Sequence, residues 1–400
     1  MPGTHLAVAL DGAGWHPAAW RDPSATPEKL FTAPYWAALA RTAERGLLDF
    51  VTVEDGLGLQ SEDHLAPGDR RTDRVRGRLD AQLIASFLAP LTSRIGLVPT
   101  VTSTHTEPFH VASAISTLDH DSLGRGGWRV QTSARADEAA HFGRRSLPPI
   151  RRDALDSPAV QEAIADLFAE AADAVEVVRR LWDSWEDDAE IRDAATNRFL
   201  DREKLHHIDF TGRFFSVRGP GIVPRPPQGQ PLVVALAHRE LAYEFAARSA
   251  DVVFVTPQET ADIAGILSEV RAAERKVGRD GEPLRVLADV VVALDADAPA
   301  ARRRLARLDE LAGEPLRSDA AVFSGDAPQL ADLLEEWRIA GIEGFRLRPA
   351  VLPIDLDAIV DRLVPELHRR GSFRTGYGAK NLRERFGLPR QSSRYAVEVA

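Results

Sequence analysis

Cysteine is absent from all 400 residues. Disulfides, zinc–thiolate sites, iron–sulfur clusters and a cysteine nucleophile are therefore excluded together. Long apolar runs are missing too, none approaching the roughly 20 residues of a membrane helix. The opening segment Met1–Gly12 has neither the basic n-region nor the apolar stretch of a signal peptide, so a cytoplasmic, membrane-free protein is expected. Familiar catalytic punctuation is lacking: no Gly-x-Gly-x-x-Gly after a strand, no Walker loop, no Gly-x-Ser-x-Gly elbow, no His-Glu-x-x-His. Lysine is scarce beside arginine, and the net charge of −10 speaks against a nucleic-acid partner. What is abundant is apolar sequence, 44% of the chain, enough for a large core.

That apolar content is organised as strands alternating with helices. Strand-like runs occur at Leu6–Leu10, Phe50–Val53, Ile95–Val101, Trp128–Thr132, Leu232–Ala237, Asp251–Thr256, Leu284–Leu294 and Gly344–Arg348. Helical patterns follow them at Tyr35–Arg45, Leu79–Leu91, His110–His120, Phe168–Trp182, Glu240–Arg248, Glu259–Val277, Ala298–Leu311 and Leu356–Arg369. Eight such units favour a single closed (β/α)8 TIM barrel over an open doubly wound sheet. The barrel is expected over residues 1–370, with insertions near 57–78, 134–167 and 183–231 and a C-terminal extension at 371–400. Residues 57–78 and 134–167 follow strands, so they belong to the active-site face, where long loops act as lids. The extension is expected to pack as an appendage or at a subunit interface.

The most informative stretch is Ile95–Phe142. An apolar strand ends in Thr102-Ser103-Thr104-His105-Thr106-Glu107, a helix follows, and the next strand ends Trp128-Arg129-Val130-Gln131-Thr132-Ser133. Polar groups gathered at strand ends are what a parallel βα protein uses to bind a ligand. Downstream come Leu181-Trp182-Asp183-Ser184-Trp185-Glu186-Asp187-Asp188 and Pro224-Arg225-Pro226-Pro227-Gln228-Gly229. With Ala19-Trp20-Arg21 and Gly387-Leu388-Pro389, these segments resemble the bacterial luciferase-like flavin-dependent monooxygenases. The resemblance covers nearly the whole chain and is strongest to the branch of nitrilotriacetate, EDTA and dibenzothiophene-sulfone monooxygenase large components. It implies a luciferase-like barrel with reduced FMN at the strand ends, fed by a separate NAD(P)H:flavin reductase. It also implies O2 and a small organic substrate as reactants, and a homodimer or homotetramer.

Reduced flavin is anionic near neutral pH, so positive groups near its ring edge, an anion site for its phosphate and a dry pocket are expected. The resemblance brings Asp55, Thr102, Ser103, Arg129, Gln131 and Ser133 to the ring. Asp55 reads equally as a turn or N-cap aspartate, and Thr102 and Ser103 as helix-capping hydroxyls. Arg129 stands where the family has asparagine. Adjacent strand residues face opposite sides, so either Arg129 with Gln131 or Trp128 faces the lumen. After the fifth strand the family's Gln-Ala-Gly-x-Ser is replaced by Ala235-Leu236-Ala237-His238-Arg239. His238 and Arg239 are then candidates to hold phosphate by charge, against a plain solvated helix start.

His105 and His16 are acid/base candidates, each with a structural hydrogen-bonding role as its rival. Trp15, Trp20 and Phe109 read as pocket walls or core. Glu186-Asp187-Asp188 reads as a solvated turn, and the adjacent His206 and His207 cannot share a face, so no metal site is expected. The activity expected is the oxygenase component of a two-component, FMNH2-dependent monooxygenase. The alternatives are an F420-dependent hydride-transfer oxidoreductase on the same barrel and a catalytically silent flavin binder.

Overall fold

In the computed structural model, which describes residues 4–61, 71–147, 150 and 152–396, eight parallel strands close into a barrel. They are β1 His5–Leu10, β2 Phe50–Val53, β3 Gly96–Thr102, β4 Gly127–Gln131, β5 Leu232–Leu236, β6 Val252–Val255, β7 Arg285–Leu294 and β8 Gly344–Pro349. Closure comes from β8 pairing with β1 in the register His5↔Gly344 to Val8↔Leu347. All eight coincide with the runs expected from sequence, and the helices between them form the outer ring.

Strand alternation sorts the core into two. One face of each strand, Leu6, Val8 and Leu10 on β1 or Val233 and Ala235 on β5, packs outward against the helices. The other face points inward, and its lower part is apolar: Ala7, Phe50, Val98, Leu232, Val252 and Leu287. The C-terminal extension completes this inner layer, because Leu382, Phe386 and Leu388 are buried in it. Burying three such side chains stabilises the fold by roughly 1.5–3 kcal/mol each. The extension is thus the floor of the barrel.

Local signals account for the helices. Thr260–Val277 starts from a capping box of Glu259 and Asp262 and stops at Gly278, whose φ of 66° is the left-handed C-cap conformation. Ala33–Arg45 stops at Gly46 for another reason. Its φ is −75°, and a Cβ there would lie 2.6 Å from Val360 Cγ2, so close packing requires glycine.

Several further elements escaped the sequence pattern. β7 runs for ten residues and pairs its last five with an extra parallel strand, Ala321–Gly325. Helix Ala327–Ile339 then leads to β8. The insertion 183–231 holds two small hairpins, Glu190–Asp193 with Arg198–Leu200 and Phe210–Thr211 with Ser216–Val217. These strands have two to five residues and are half exposed, too short to show a period. Part of the expected lid 57–78 lies outside the described residues. No helix among the described residues is long and apolar enough to cross a membrane.

Candidate active site

Above the apolar floor the inward positions turn polar. Thr52 and Glu54 continue β2 beyond Phe50, Thr100 and Thr102 continue β3 beyond Val98, and Asp289 continues β7 beyond Leu287. Arg129 and Gln131 on β4 and Arg346 and Arg348 on β8 share this face. The outcome is a buried ionic lattice. Arg129 Nη1 lies 2.9 Å from Glu54 Oε2 and donates to Thr100 Oγ1 at 3.0 Å and Gln131 Oε1 at 3.2 Å. Arg346 Nη1 donates to Glu54 Oε1 at 3.0 Å, and its Nε donates to Asp289 Oδ1 at 2.8 Å. Arg348 Nε donates to Asp289 Oδ2 at 2.9 Å, while its Nη1 donates to Asp319 Oδ1 at 2.6 Å. Arg346 also lies over the Phe254 ring, 4.2 Å from its centroid, and Arg348 over Trp15 at 5.4 Å.

Three guanidiniums thus meet three carboxylates, and the balance is a physical requirement. Arg346 and Asp289 are wholly buried and Arg348 is 3% exposed; unpaired ions so placed would cost several kcal/mol each. Burial alone would raise the carboxyl pKa of Glu54. Arg129 first, then Arg346, Arg348 and Arg78, more than reverse this and hold it at about 2. Glu54 is therefore ionised at neutral pH.

Arg129 points into the lumen with Gln131, and Trp128 points outward, its Nε1 donating to Val101 O at 3.2 Å. Gln131 Nε2 faces the main-chain carbonyl of Asp55 at 3.2 Å and Thr102 Oγ1 at 3.4 Å, so Thr102, Arg129 and Gln131 form one cluster. The Asp55 carboxylate stands elsewhere. It accepts from the Gly56 N–H at 2.7 Å and from the Ala81 N–H at 2.8 Å, at the start of helix Ala81–Leu88 whose N-cap is Asp80. Ser103 Oγ donates to the Gln131 carbonyl at 3.1 Å and Ser133 Oγ donates to Glu138 Oε2 at 2.5 Å, tying β3, β4 and helix Ala136–Phe142 together. These two hydroxyls brace the site.

The two histidine candidates differ. His16 is buried with both ring nitrogens engaged: Nδ1 accepts from the Ala18 N–H at 3.0 Å, and Nε2 lies 3.1 Å from Asp309 Oδ1. Burial lowers its pKa, opposed by Asp309. His105 has a φ of 70°, unusual for a side chain with a Cβ and a frequent mark of functional segments. It stacks on Phe142 with centroids 5.4 Å apart, and its buried Nε2 has no hydrogen-bond partner among the described residues. Burial, then Arg145, lowers its pKa to about 4, so the ring is neutral at pH 7.

At the far side of the mouth, His238 is partly exposed. Its Nδ1 lies 2.8 Å from Thr256 Oγ1, and its Nε2 lies 3.4 Å from Asp319 Oδ2. Arg239 is exposed as the N-cap residue of helix Glu240–Ser249. Trp20 and Phe109 pack against the outer core, whereas Trp15 lies beneath Arg348.

The two expected lids meet over the rim, where Arg135 Nη1 donates to the Leu59 carbonyl at 3.1 Å. Arg78 pairs with Asp11 at 2.7 Å, beside a small recess lined by Leu30, Trp36, Glu54, Val75 and Leu79.

A flavin here would need donors at its ring edge. The buried Arg129 Nε has no hydrogen-bond partner among the described residues, and neither has His105 Nε2. Orphaned polar atoms in a native fold call for a missing partner, so the residues present fit the ring. At the phosphate end, His238 already faces a carboxylate. Sequence reasoning missed Glu54, Asp289, Arg346, Arg348 and Asp319. The signal for the first four was available, since each stands two residues beyond another inward position of its strand. Asp319 arrives from a loop and had none.

Comparison with known proteins agrees with this architecture. A family model described as luciferase-like monooxygenase matches residues 13–342. The chain is 32% identical over 454 aligned residues to the N-acetyl-S-(2-succino)cysteine monooxygenase of Bacillus subtilis (strain 168), covering 98% of each chain. It is 33% identical over 458 to nitrilotriacetate monooxygenase component A of Aminobacter aminovorans, again over 98% of each. Among solved structures, the EDTA monooxygenase of Chelativorans sp. BNC1 superposes with a TM-score of 0.81 at 23% identity, covering 97% of this chain and 99% of that one. This last likeness shows the fold alone.

Proposed function

The chain belongs to the luciferase-like monooxygenase family and is a flavin-dependent monooxygenase; from there, we propose that it is the oxygenase component of a two-component system. Reduced FMN, delivered by a separate NAD(P)H:flavin reductase, would supply the two electrons that let O2 put one atom into a small organic substrate and release the other as water. The relative named as a component A supports a divided system.

The observation that carries this reading is the cluster of Arg129, Thr102 and Gln131 in the upper lumen. Arg129 would place a positive charge beside the anionic ring edge, its free Nε supplying a donor. Thr102 and Gln131 would fix the ring by hydrogen bonds. His105, neutral and without a partner at Nε2, is the group able to take or give a proton at that atom. His238 would serve the phosphate end.

Anaerobic titration with FMNH2, followed by oxygen, tests the reading. Saturable binding, and slower reoxidation than free FMNH2 shows, are expected. Absence of FMNH2 binding, or tighter retention of reduced F420, would overturn it.

A further inference from the structure

Asp319 differs from the other carboxylates of the lattice. Glu54 directly follows β2 and Asp289 lies on β7, and their side chains are 9% and 0% exposed. Asp319 sits in the loop between helix Ala298–Ala312 and the extra strand, with its side chain 34% exposed. It reaches into the mouth and takes both terminal nitrogens of Arg348, at 2.6 and 3.2 Å. His238 approaches the same carboxylate from the end of β5, held by Thr256. Arg348 itself is 3% exposed and anchored by Asp289.

Removing Asp319 would leave Asp289 as the one lattice carboxylate facing Arg348, and Asp289 also serves Arg346. The mouth would then carry excess positive charge, with the imidazole of His238 beside it. That is the composition of an oxyanion site. The loop position of Asp319 is secured by polar contacts rather than by sheet pairing: Gln258 Nε2 donates to its carbonyl at 2.7 Å and Ser318 Oγ to its Oδ1 at 3.2 Å. An anion entering from solvent would therefore exchange with it and take over the negative charge that Arg348 requires.

We propose that Arg348 and His238 form an anion subsite for a phosphate monoester, and that Asp319 is its resident occupant, displaced when the phosphate enters. The identification of that phosphate with the one on FMN rests on the proposed function; the subsite itself does not. Asp319 then acts as a competitor within the chain, weakening retention of the phosphate-bearing ligand and easing its release.

The test compares FMN with riboflavin, which lacks the phosphate, on the full chain and on Asp319→Asn and Asp319→Asn/His238→Gln. Asparagine keeps the size and removes the charge. The ratio of FMN to riboflavin affinity should rise about tenfold or more in Asp319→Asn, the scale of one charged hydrogen bond, and fall back in the double variant. Inorganic phosphate should compete with FMN and leave riboflavin binding unchanged. If Asp319→Asn only loses thermal stability while the ratio stays constant, the subsite is refuted and the flavin reading stands. If no variant binds either flavin, yet phosphate raises the melting temperature of Asp319→Asn above its effect on the parent, the subsite stands and the flavin reading falls.

Discussion

Replacing Glu54 by glutamine removes the carboxylate that links Arg129 to Arg346 and leaves both guanidiniums in the lumen. Arg346 keeps Asp289, but Arg129 loses its only ion pair among the described residues and retains neutral partners, Thr100 and Gln131. Breaking a buried pair from one side costs about 3–5 kcal/mol, most of it the uncompensated charge. For 400 residues, an unfolding entropy of roughly 2.1 cal/mol/K per residue turns that into a fall of about 4–6 °C in melting temperature. Scanning calorimetry of Glu54→Gln, Arg129→Gln and the double variant gives the assay. The double variant should be more stable than the sum of the singles by about 2 kcal/mol, because it restores charge balance. A loss below about 1 kcal/mol in Glu54→Gln, or strict additivity, would refute the claim that the lattice depends on matched charge.

Arg129→Ala should weaken FMNH2 binding by about 1–3 kcal/mol, read by anaerobic fluorescence titration; unchanged affinity rejects its role at the ring. Glu54 and Asp251 are both held near a pKa of 2, Asp251 by Arg179 and Arg383 against its own burial. Lowered folded-state values give stability that is present above the ordinary carboxylate range and lost as pH falls through about 2, so the chain should weaken steadily between about pH 4.5 and 2. Glu54→Gln should flatten that slope, and an identical slope in the variant would exclude Glu54 as a contributor. Phe386→Ala, in the barrel floor, should cost about 3–5 kcal/mol in a denaturant titration, a loss that a merely appended tail would not show. If His105 exchanges a proton during turnover, the acid limb of kcat against pH should lie near 4 and vanish in His105→Gln; a limb at the ordinary histidine value would point to another group.

Strand order was legible because each barrel strand is an apolar run long enough to register, from Leu6–Leu10 to Gly344–Arg348. The period-two rule also placed Arg129 and Gln131 on one face. Its reach was longer than the use made of it: Thr52 and Glu54, and Arg346 and Arg348, obey the same alternation. Asp289, two residues beyond the inward Leu287, obeys it too. What alternation cannot supply is a group from outside the strands, so Asp319 was invisible. It also cannot tell a capping carboxylate from one facing a ligand, as Asp55 shows, nor whether a ring such as His16 has both nitrogens occupied.

The pairing of His5 with Gly344 has a consequence for how the chain acquires its shape. The first strand must wait for residues more than three hundred positions later before its second edge is covered, and the inner layer must wait longer still, for Leu382 and Phe386. During synthesis the early strands would hold an unsatisfied hydrogen-bonding edge, a template for association with other chains. Yield in the cell should therefore respond to chaperone supply and translation speed more than equilibrium stability alone would suggest.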